Sequence, residues 1–176
     1  VMLKKESEVE MVAIAYKIPD FKHKDQAALS ALSELLSSGK SSRLQRVLVD
    51  EKIADRFIEK LVEKTRHIKA GNPLSNQYPL GVLESVRAAN RVKNLLEDAL
   101  NKGAHLPLGI DIDGTTMQPT IVDYVQPEMQ IYFEETFAPV CTIQRFKTEI
   151  EAIELANNSE FGLSSAVFSQ NISQAL

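Results

Sequence analysis

The sequence predicts a layered α/β domain, a sheet flanked by helices. Segments with apolar residues at helical spacing alternate with short runs rich in Val, Ile and Thr, and Gly, Pro and Asn mark the junctions. At 176 residues, 44% hydrophobic and 25% charged, the chain has the composition of a globular unit with a sizeable core. A single compact domain is the expectation.

Val9 to Ile18 is an apolar run predicted to be a buried strand, stopped where Pro19 removes a backbone donor. Lys24 to Ser37 follows as a helix, with Ala28, Leu29, Leu32, Leu35 and Leu36 forming its core-facing stripe. Arg46 to Val49 fits two periods: a strand leading into a helix at Asp50, or part of a helix from Ser41 to Lys52. The β-favouring Val47-Leu48-Val49 and the cap-forming Asp50 favour the strand. From Asp50 or Lys52 to Ile68 the pattern is helical, with Ile53, Phe57, Ile58, Leu61 and Val62 predicted inward and Gly71-Asn72-Pro73 closing the segment. Asn72 to Pro79 has loop composition. Glu84 to Lys102 is a second helix, with Val86, Ala89, Val92, Leu95, Leu96 and Ala99 inward and Gly103 as its stop. Leu106 to Ile110, Thr120 to Val125, Val140 to Phe146 and Ala166 to Ser169 are predicted strands, and Glu149 to Asn157 a helix.

Charge and residue usage exclude several classes of function. A net charge of -4 with no Lys/Arg-dense run argues against nucleic acid as a partner. The basic residues from Lys60 to Lys69 share their helix with Glu59 and Glu63, which is the pattern of a solvated face. No apolar run approaches the roughly 20 residues that span a bilayer, and Val1-Met2-Leu3-Lys4-Lys5-Glu6 turns charged too soon for a signal peptide, so no membrane is expected. The single cysteine, Cys141, precludes an internal disulfide framework and suits a reducing, cytoplasmic setting. His23, His67 and His105 lie far apart in sequence and form no zinc motif, so no metal site is predicted. Asp111, Asp113 and Gly114 lack the spaced ligands of a calcium loop and read as a turn.

The stretch with chemical content is Glu134-Glu135-Thr136-Phe137-Ala138-Pro139-Val140. A carboxylate pair followed by an aromatic ring can accept hydrogen bonds from a ribose diol and press an apolar face on a flat heterocycle. The stretch resembles the E-E-x-F-G-P-V signature of the NAD(P)-dependent aldehyde dehydrogenases, with Ala138 where that family usually has glycine. Further pieces resemble the same family in family order: Arg46-Val47-Leu48-Val49, Lys69-Ala70-Gly71-Asn72-Pro73, Gln118-Pro119-Thr120-Ile121, Met129, Glu151 to Asn157 and Phe161-Gly162-Leu163-Ser164. The resemblance covers roughly residues 46–176 and implies an aldehyde-dehydrogenase catalytic-domain-like fold. It also implies that Glu135 binds the nicotinamide ribose and that Phe137 packs on the nicotinamide. The family's nucleophile follows Gly-Gln-x-Cys just before the Arg-Val-Leu-Val strand. Here that place reads Gly39-Lys40-Ser41-Ser42, which puts Ser42 near the cysteine position, and a serine without a base is a poor nucleophile. Cys141, in a predicted strand, reads as a packed, unreactive thiol. The family's dinucleotide-binding half is not in the sequence. No catalytic residue is therefore assigned, and no cofactor is expected beyond a weak NAD(P) contact through Glu135 and Phe137.

Residues 8–52 carry a different likeness. Val12-Ala13-Ile14-Ala15-Tyr16-Lys17-Ile18-Pro19, Lys24 to Leu29, and Leu35 to Leu44 with Leu48-Val49-Asp50-Glu51-Lys52 resemble the insulinase/pitrilysin-type zinc peptidases, away from that family's zinc motif. The two resemblances together describe a chimera that folds as one unit: residues 1–45 peptidase-like, residues 46–176 part of a dehydrogenase catalytic domain, with no complete active site. Two alternatives stand beside it. One is an aldehyde dehydrogenase that retains activity through Ser42 or is completed by a partner chain. The other is an assembly module related to peptidase domains that self-associates through an exposed sheet edge.

Overall fold

The fold is taken from a computed structural model that describes residues 46–75 and 77–159. The expected strand Val9 to Ile18, helix Lys24 to Ser37 and strand Ala166 to Ser169 lie outside the described residues, as does Ser42. In chain order the elements are β1 (Arg46–Asp50), α1 (Glu51–Thr65), α2 (Val86–Asn101), β2 (His105–Leu108), β3 (Ile112–Asp113), β4 (Thr116–Met117), β5 (Thr120–Asp123), β6 (Val140–Phe146) and α3 (Glu149–Asn157). Single 3-10 turns occupy Pro73–Ser75 and Gln130–Tyr132. One sheet has the order β1-β6-β5-β2, and β3 and β4 form a separate hairpin.

Arg46–Asp50 is a strand, as its β-branched content predicts. It pairs in parallel with β6 from Arg46 opposite Thr142 to Asp50 opposite Phe146, and the peptidase-like helix over Ser41 to Lys52 therefore does not hold across these residues. The pairing gives the backbone of the Val47-Leu48-Val49 run its partners in the sheet interior, which a helix could obtain only from its own turn. β5 also runs parallel to β6, with Ile121 opposite Cys141, whereas β2 closes the edge in antiparallel.

Asp50 ends the strand and caps the helix, its Oδ1 accepting from the Lys52 N–H at 2.9 Å. α1 then stops at Thr65, three residues before the expected Ile68 and well before Gly71. Its buried stripe is Ala54, Ile58, Leu61, Val62 and Thr65, which keeps the predicted Ile58, Leu61 and Val62, with Phe57 partly buried beside them, and departs from the prediction at Ile53. Ile53 is 58% exposed. In the first turn the small Ala54 faces the sheet in place of Ile53, while the rest of the inward face follows side-chain hydrophobicity. α2 matches its predicted stripe from Ala89 to Ala99, but Val86, in the first turn, is exposed. Ser85 caps it by accepting from the Ala88 N–H at 3.1 Å, and Gly103, with φ +96°, takes the left-handed conformation that stops it.

The sheet separates two apolar layers. On one face Ile121, Cys141, Ile143 and Val49 pack against Ala54, Ile58, Leu61 and Val62 of α1. On the other, Val122 and Val140 pack with Met117, Met129, Ile131 and Tyr132 against Ala89, Val92, Leu95, Leu96 and Ala99 of α2. Alternation along β5 (Ile121 one way, Val122 the other) produces this α/β/α arrangement. Burial of each such Leu or Ile side chain contributes roughly 1.5–3 kcal/mol.

Gln118 ties the segment after α1 to the sheet. Its Oε1 accepts from the Ala70 N–H at 3.0 Å and its Nε2 donates to the Ala70 carbonyl at 3.2 Å, standing in for a neighbouring strand. Gly114, at φ +57°, and Thr115 form the turn of the β3–β4 hairpin, in agreement with the turn reading at Gly114, whereas Asp113 is the last residue of β3 and pairs with Thr116. No helix among the described residues is long and apolar enough to cross a membrane.

Candidate cofactor site

The Glu134-to-Val140 stretch is a loop that leaves the Gln130–Tyr132 turn and feeds β6. Its entry is fixed from α2. Asp98 accepts from the Gln130 N–H at 2.8 Å and pairs with Lys102 at 2.7 Å, while the Lys102 ammonium donates to the Glu128 carbonyl at 2.6 Å. The Lys102 hydrogen bond, with that from the Gln130 N–H, holds the Asp98 carboxyl below its ordinary pKa. The Glu134 N–H then closes on the Gln130 carbonyl at 3.1 Å.

Arg46, first residue of β1, secures the same turn from the other side. Its Nη2 donates to the Tyr132 carbonyl at 3.0 Å, and its Nη1 reaches the carbonyls of Leu155 and Asn158 at 3.1 and 3.0 Å. Asn158 donates in turn to the Tyr132 hydroxyl at 2.9 Å. Burial lowers the pKa of Arg46 from its ordinary value. Because β1 and β6 are parallel, the chain enters β1 at the end of the sheet where this loop enters β6.

Arg91 of α2 closes the arrangement. Its Nη2 donates to Glu134 Oε2 at 3.1 Å and to the main-chain carbonyl of Glu135 at 2.7 Å. Phe137 is held at φ +49°, in the left-handed region, with its side chain 56% exposed. Among the described residues, the Glu135 carboxylate has no hydrogen-bond or ion-pair partner, so an uncommitted carboxylate and an outward ring lie two residues apart on one loop. An oxygen pair of this kind can accept hydrogen bonds from a vicinal diol, and an exposed ring can cover a flat heterocycle.

Ala138 is buried, and its backbone is outside the left-handed region. Its carbonyl accepts from the Val140 N–H at 2.7 Å, so alanine fits where the family resemblance has glycine. Cys141, expected to be a packed thiol, is 1% exposed beneath α1, and burial pushes its pKa up to about 12. It supplies no nucleophile.

A groove of about 770 Å³ lies elsewhere, between α1 and the β2–β5 side of the sheet. It contains His67, His105, Asp55, Asp123, Tyr124 and Arg145, and neither Glu135 nor Phe137. Its central charge is already neutralised: Arg145 bonds Asp123 through Nε at 3.2 Å and Nη2 at 2.7 Å, pairs with Asp55 at 2.8 Å, and lies 4.1 Å from the Tyr124 ring centroid. We therefore place the candidate site on the loop, where an acceptor is left free. Among the described residues, no three His, Cys, Asp or Glu side chains converge as metal ligands would. Sequence reasoning singled out Glu135 and Phe137 but missed Arg91, Asp98 and Lys102. The only signal for them was their place on a polar helix face, which many solvated residues share.

The comparisons with known proteins agree with this architecture. A family model described as "Aldehyde dehydrogenase family" matches residues 20–176, and the chain belongs to that family. It is 44% identical over 133 residues to the salicylaldehyde dehydrogenase of Pseudomonas sp. (strain C18), a match covering 75% of this chain and 28% of that protein. To the vanillin dehydrogenase of Pseudomonas fluorescens it is 42% identical over 132 residues, covering 75% of this chain and 27% of the relative. Among solved structures it resembles an NAD-dependent benzaldehyde dehydrogenase from Corynebacterium glutamicum with a TM-score of 0.78 and 34% identity, over 86% of this chain and 33% of that one. The chain thus spans about a third or less of the length of these relatives. Because the family match begins at residue 20, it runs through most of the stretch read as peptidase-like and leaves the two-parent description without support.

Proposed function

We propose that this chain supplies the nicotinamide-side loop of an aldehyde dehydrogenase cleft, with Glu135 as acceptor for the nicotinamide-ribose diol and Phe137 as the surface for the nicotinamide ring. The observation that carries this reading is the Glu135 carboxylate, which has no partner among the described residues, two positions before the exposed Phe137 ring. The cofactor, when bound, supplies the oxidising equivalent; the residues of this chain bind and orient it.

On its own the 176-residue chain offers the dinucleotide one side of a cleft, so affinity is weak, with a Kd on the order of 1 mM, about -4 kcal/mol. Aldehyde oxidation needs a thiolate that Cys141 does not provide, and we propose that the isolated chain does not turn over. Titration with NAD, followed by NMR shifts at Thr136 and Phe137, tests the contact. Saturable shifts that disappear in Glu135→Ala support it; wild-type shifts that persist in that variant refute it. The relatives named for salicylaldehyde and vanillin make an aromatic aldehyde the first substrate to offer in a parallel absorbance assay for reduced cofactor. A flat trace is expected, and a rising trace that is lost in Ser42→Ala would restore the alternative of activity through Ser42.

Self-association through a sheet edge is a separate proposal. It is favoured by β2, which pairs with β5 on one side and with no other described strand. Light scattering that shows a monomer at high concentration would remove it.

A further inference from the structure

We propose that Arg91 is a positioning residue for the Glu135–Phe137 grip: by taking the Glu134 carboxylate and the Glu135 main-chain carbonyl, it orders the loop and leaves the Glu135 carboxylate free for the ribose. The inference rests on the cofactor reading above. Glu134 and Glu135 are adjacent carboxylates with the same chemistry, and one guanidinium stands beside both. Its Nη2 engages the side chain of Glu134 at 3.1 Å but only the backbone of Glu135, at 2.7 Å. A contact to the Glu135 carboxylate would have neutralised the acceptor; a contact to its carbonyl fixes the peptide while the carboxylate remains uncommitted.

The two sites of attachment also bear on Phe137. A phenylalanine at φ +49° is in a backbone state that costs about 1–2 kcal/mol relative to the right-handed regions, so the surroundings must hold it there. On the N-terminal side of Phe137, Arg91 holds the Glu134 carboxylate and the Glu135 carbonyl. On the C-terminal side, Ala138 is buried and the Pro139 carbonyl accepts from the Thr120 N–H at 2.9 Å. With both flanks fixed, the left-handed residue turns its ring outward. The Arg91–Glu134 pair is itself almost half exposed, with side chains 44% and 45% accessible, and such pairs contribute only about 0–1 kcal/mol to stability. Its main effect is therefore on the geometry of the loop.

The test uses the full chain and three variants: Arg91→Met, Arg91→Lys and Glu134→Gln. Backbone 15N relaxation at Thr136 and Phe137 reads loop order, and NAD titration by NMR shift reads the grip. In Arg91→Met we expect order parameters at these amides to fall from about 0.85 to below about 0.6, with β6 and α2 unchanged. The Kd for NAD should rise five- to tenfold. Arg91→Lys, which keeps a donor for one acceptor, should recover part of both, and Glu134→Gln, which leaves the carbonyl contact, should change the Kd about twofold. Wild-type order and affinity in Arg91→Met would overturn the proposal. Weaker binding with unchanged order would also overturn it, by assigning Arg91 a direct contact to the dinucleotide. Where the wild-type chain shows no NAD-induced shift, the cofactor reading fails alone, and relaxation in Arg91→Met still decides whether Arg91 orders the loop.

Discussion

Arg46 acts on Tyr132 twice: it donates to the tyrosine's main-chain carbonyl at 3.0 Å, and its guanidinium lies 4.4 Å from the centroid of the same ring. With its bonds to Leu155 and Asn158, this side chain joins the start of β1, the turn before the candidate loop and the C-terminal end of α3. Arg46→Met keeps much of the aliphatic stem but removes the guanidinium donors from the Tyr132 and Asn158 carbonyls and leaves the Leu155 carbonyl with the Asn158 N–H at 3.2 Å. The expected cost is about 2–3 kcal/mol, and at roughly 2–4 °C per kcal/mol the melting temperature should fall by about 5–10 °C. Arg46→Lys should fall in between, because an ammonium cannot span the three acceptors as a planar fork does. A thermal melt in which Arg46→Met matches wild type would show that the network is decorative.

Arg145 and Asp123 form the corresponding joint inside the sheet, across β5 and β6, with side chains only 12% and 4% exposed. Arg145→Leu strands a buried carboxylate whose remaining partner is the Tyr124 N–H at 2.8 Å. Urea unfolding should show a loss of about 3–5 kcal/mol, and the double variant Arg145→Leu/Asp123→Leu should recover a large part of it, because the desolvated charge is gone. If the double variant is less stable than the single, the pair carries more than its own desolvation.

Cys141 gives the pH dependence. Burial raises its folded pKa from an ordinary value of 9.0 to about 12, so the fold favours the protonated thiol. The stability this contributes is fully present below about pH 9 and is lost as pH rises through the window from about 9 to 12. Melting temperatures measured from pH 8 to 11 should fall more steeply for wild type than for Cys141→Ala, although the variant is less stable at pH 8 because of the cavity it leaves. Iodoacetamide at pH 8 should label Cys141 only at the rate of unfolding. Fast stoichiometric labelling of the native protein would contradict the buried placement.

Ala138 tests whether its departure from the family's glycine matters. The residue is buried and its φ is not left-handed, so glycine would bring a larger entropy loss on folding and would remove a buried methyl group. Ala138→Gly should therefore destabilise the chain by about 1–2 kcal/mol. A gain in stability would reveal strain at this position.

The elements that local chemistry determines were legible in the sequence. Val140–Phe146 and Glu149–Asn157 have the predicted bounds, since a β-branched run and a Thr-capped, acidic first turn are signals written within a few residues. On α1, Ile58, Leu61 and Val62 are buried as predicted, and only the first turn was misjudged, because Ile53 outweighs Ala54 in hydrophobicity whereas position relative to the sheet decides burial. The β3–β4 hairpin was missed because a two-residue strand is too short to show alternation. Within the candidate site, Glu135 and Phe137 could be read from their spacing. Arg46 and Arg91 act on residues 86 and 43–44 positions away, and only the folded chain brings those groups together.

Phe137 yields the sharpest test of the loop, because its strain and its ring can be separated. Substitution by either alanine or glycine removes the ring, so both variants lose the packing of that half-exposed side chain and both should lose the NAD-induced shifts. They differ in the backbone. At an ordinary position alanine is more stable than glycine, since it has less freedom to lose on folding. At φ +49° the Cβ of alanine meets the steric penalty that glycine avoids, about 1–2 kcal/mol. The usual order should therefore invert, with Phe137→Gly more stable than Phe137→Ala by roughly 1 kcal/mol in urea unfolding. The ordinary order would mean that Phe137 does not hold the left-handed state in solution. The outward direction of its ring, on which the proposed grip depends, would then lose its structural cause.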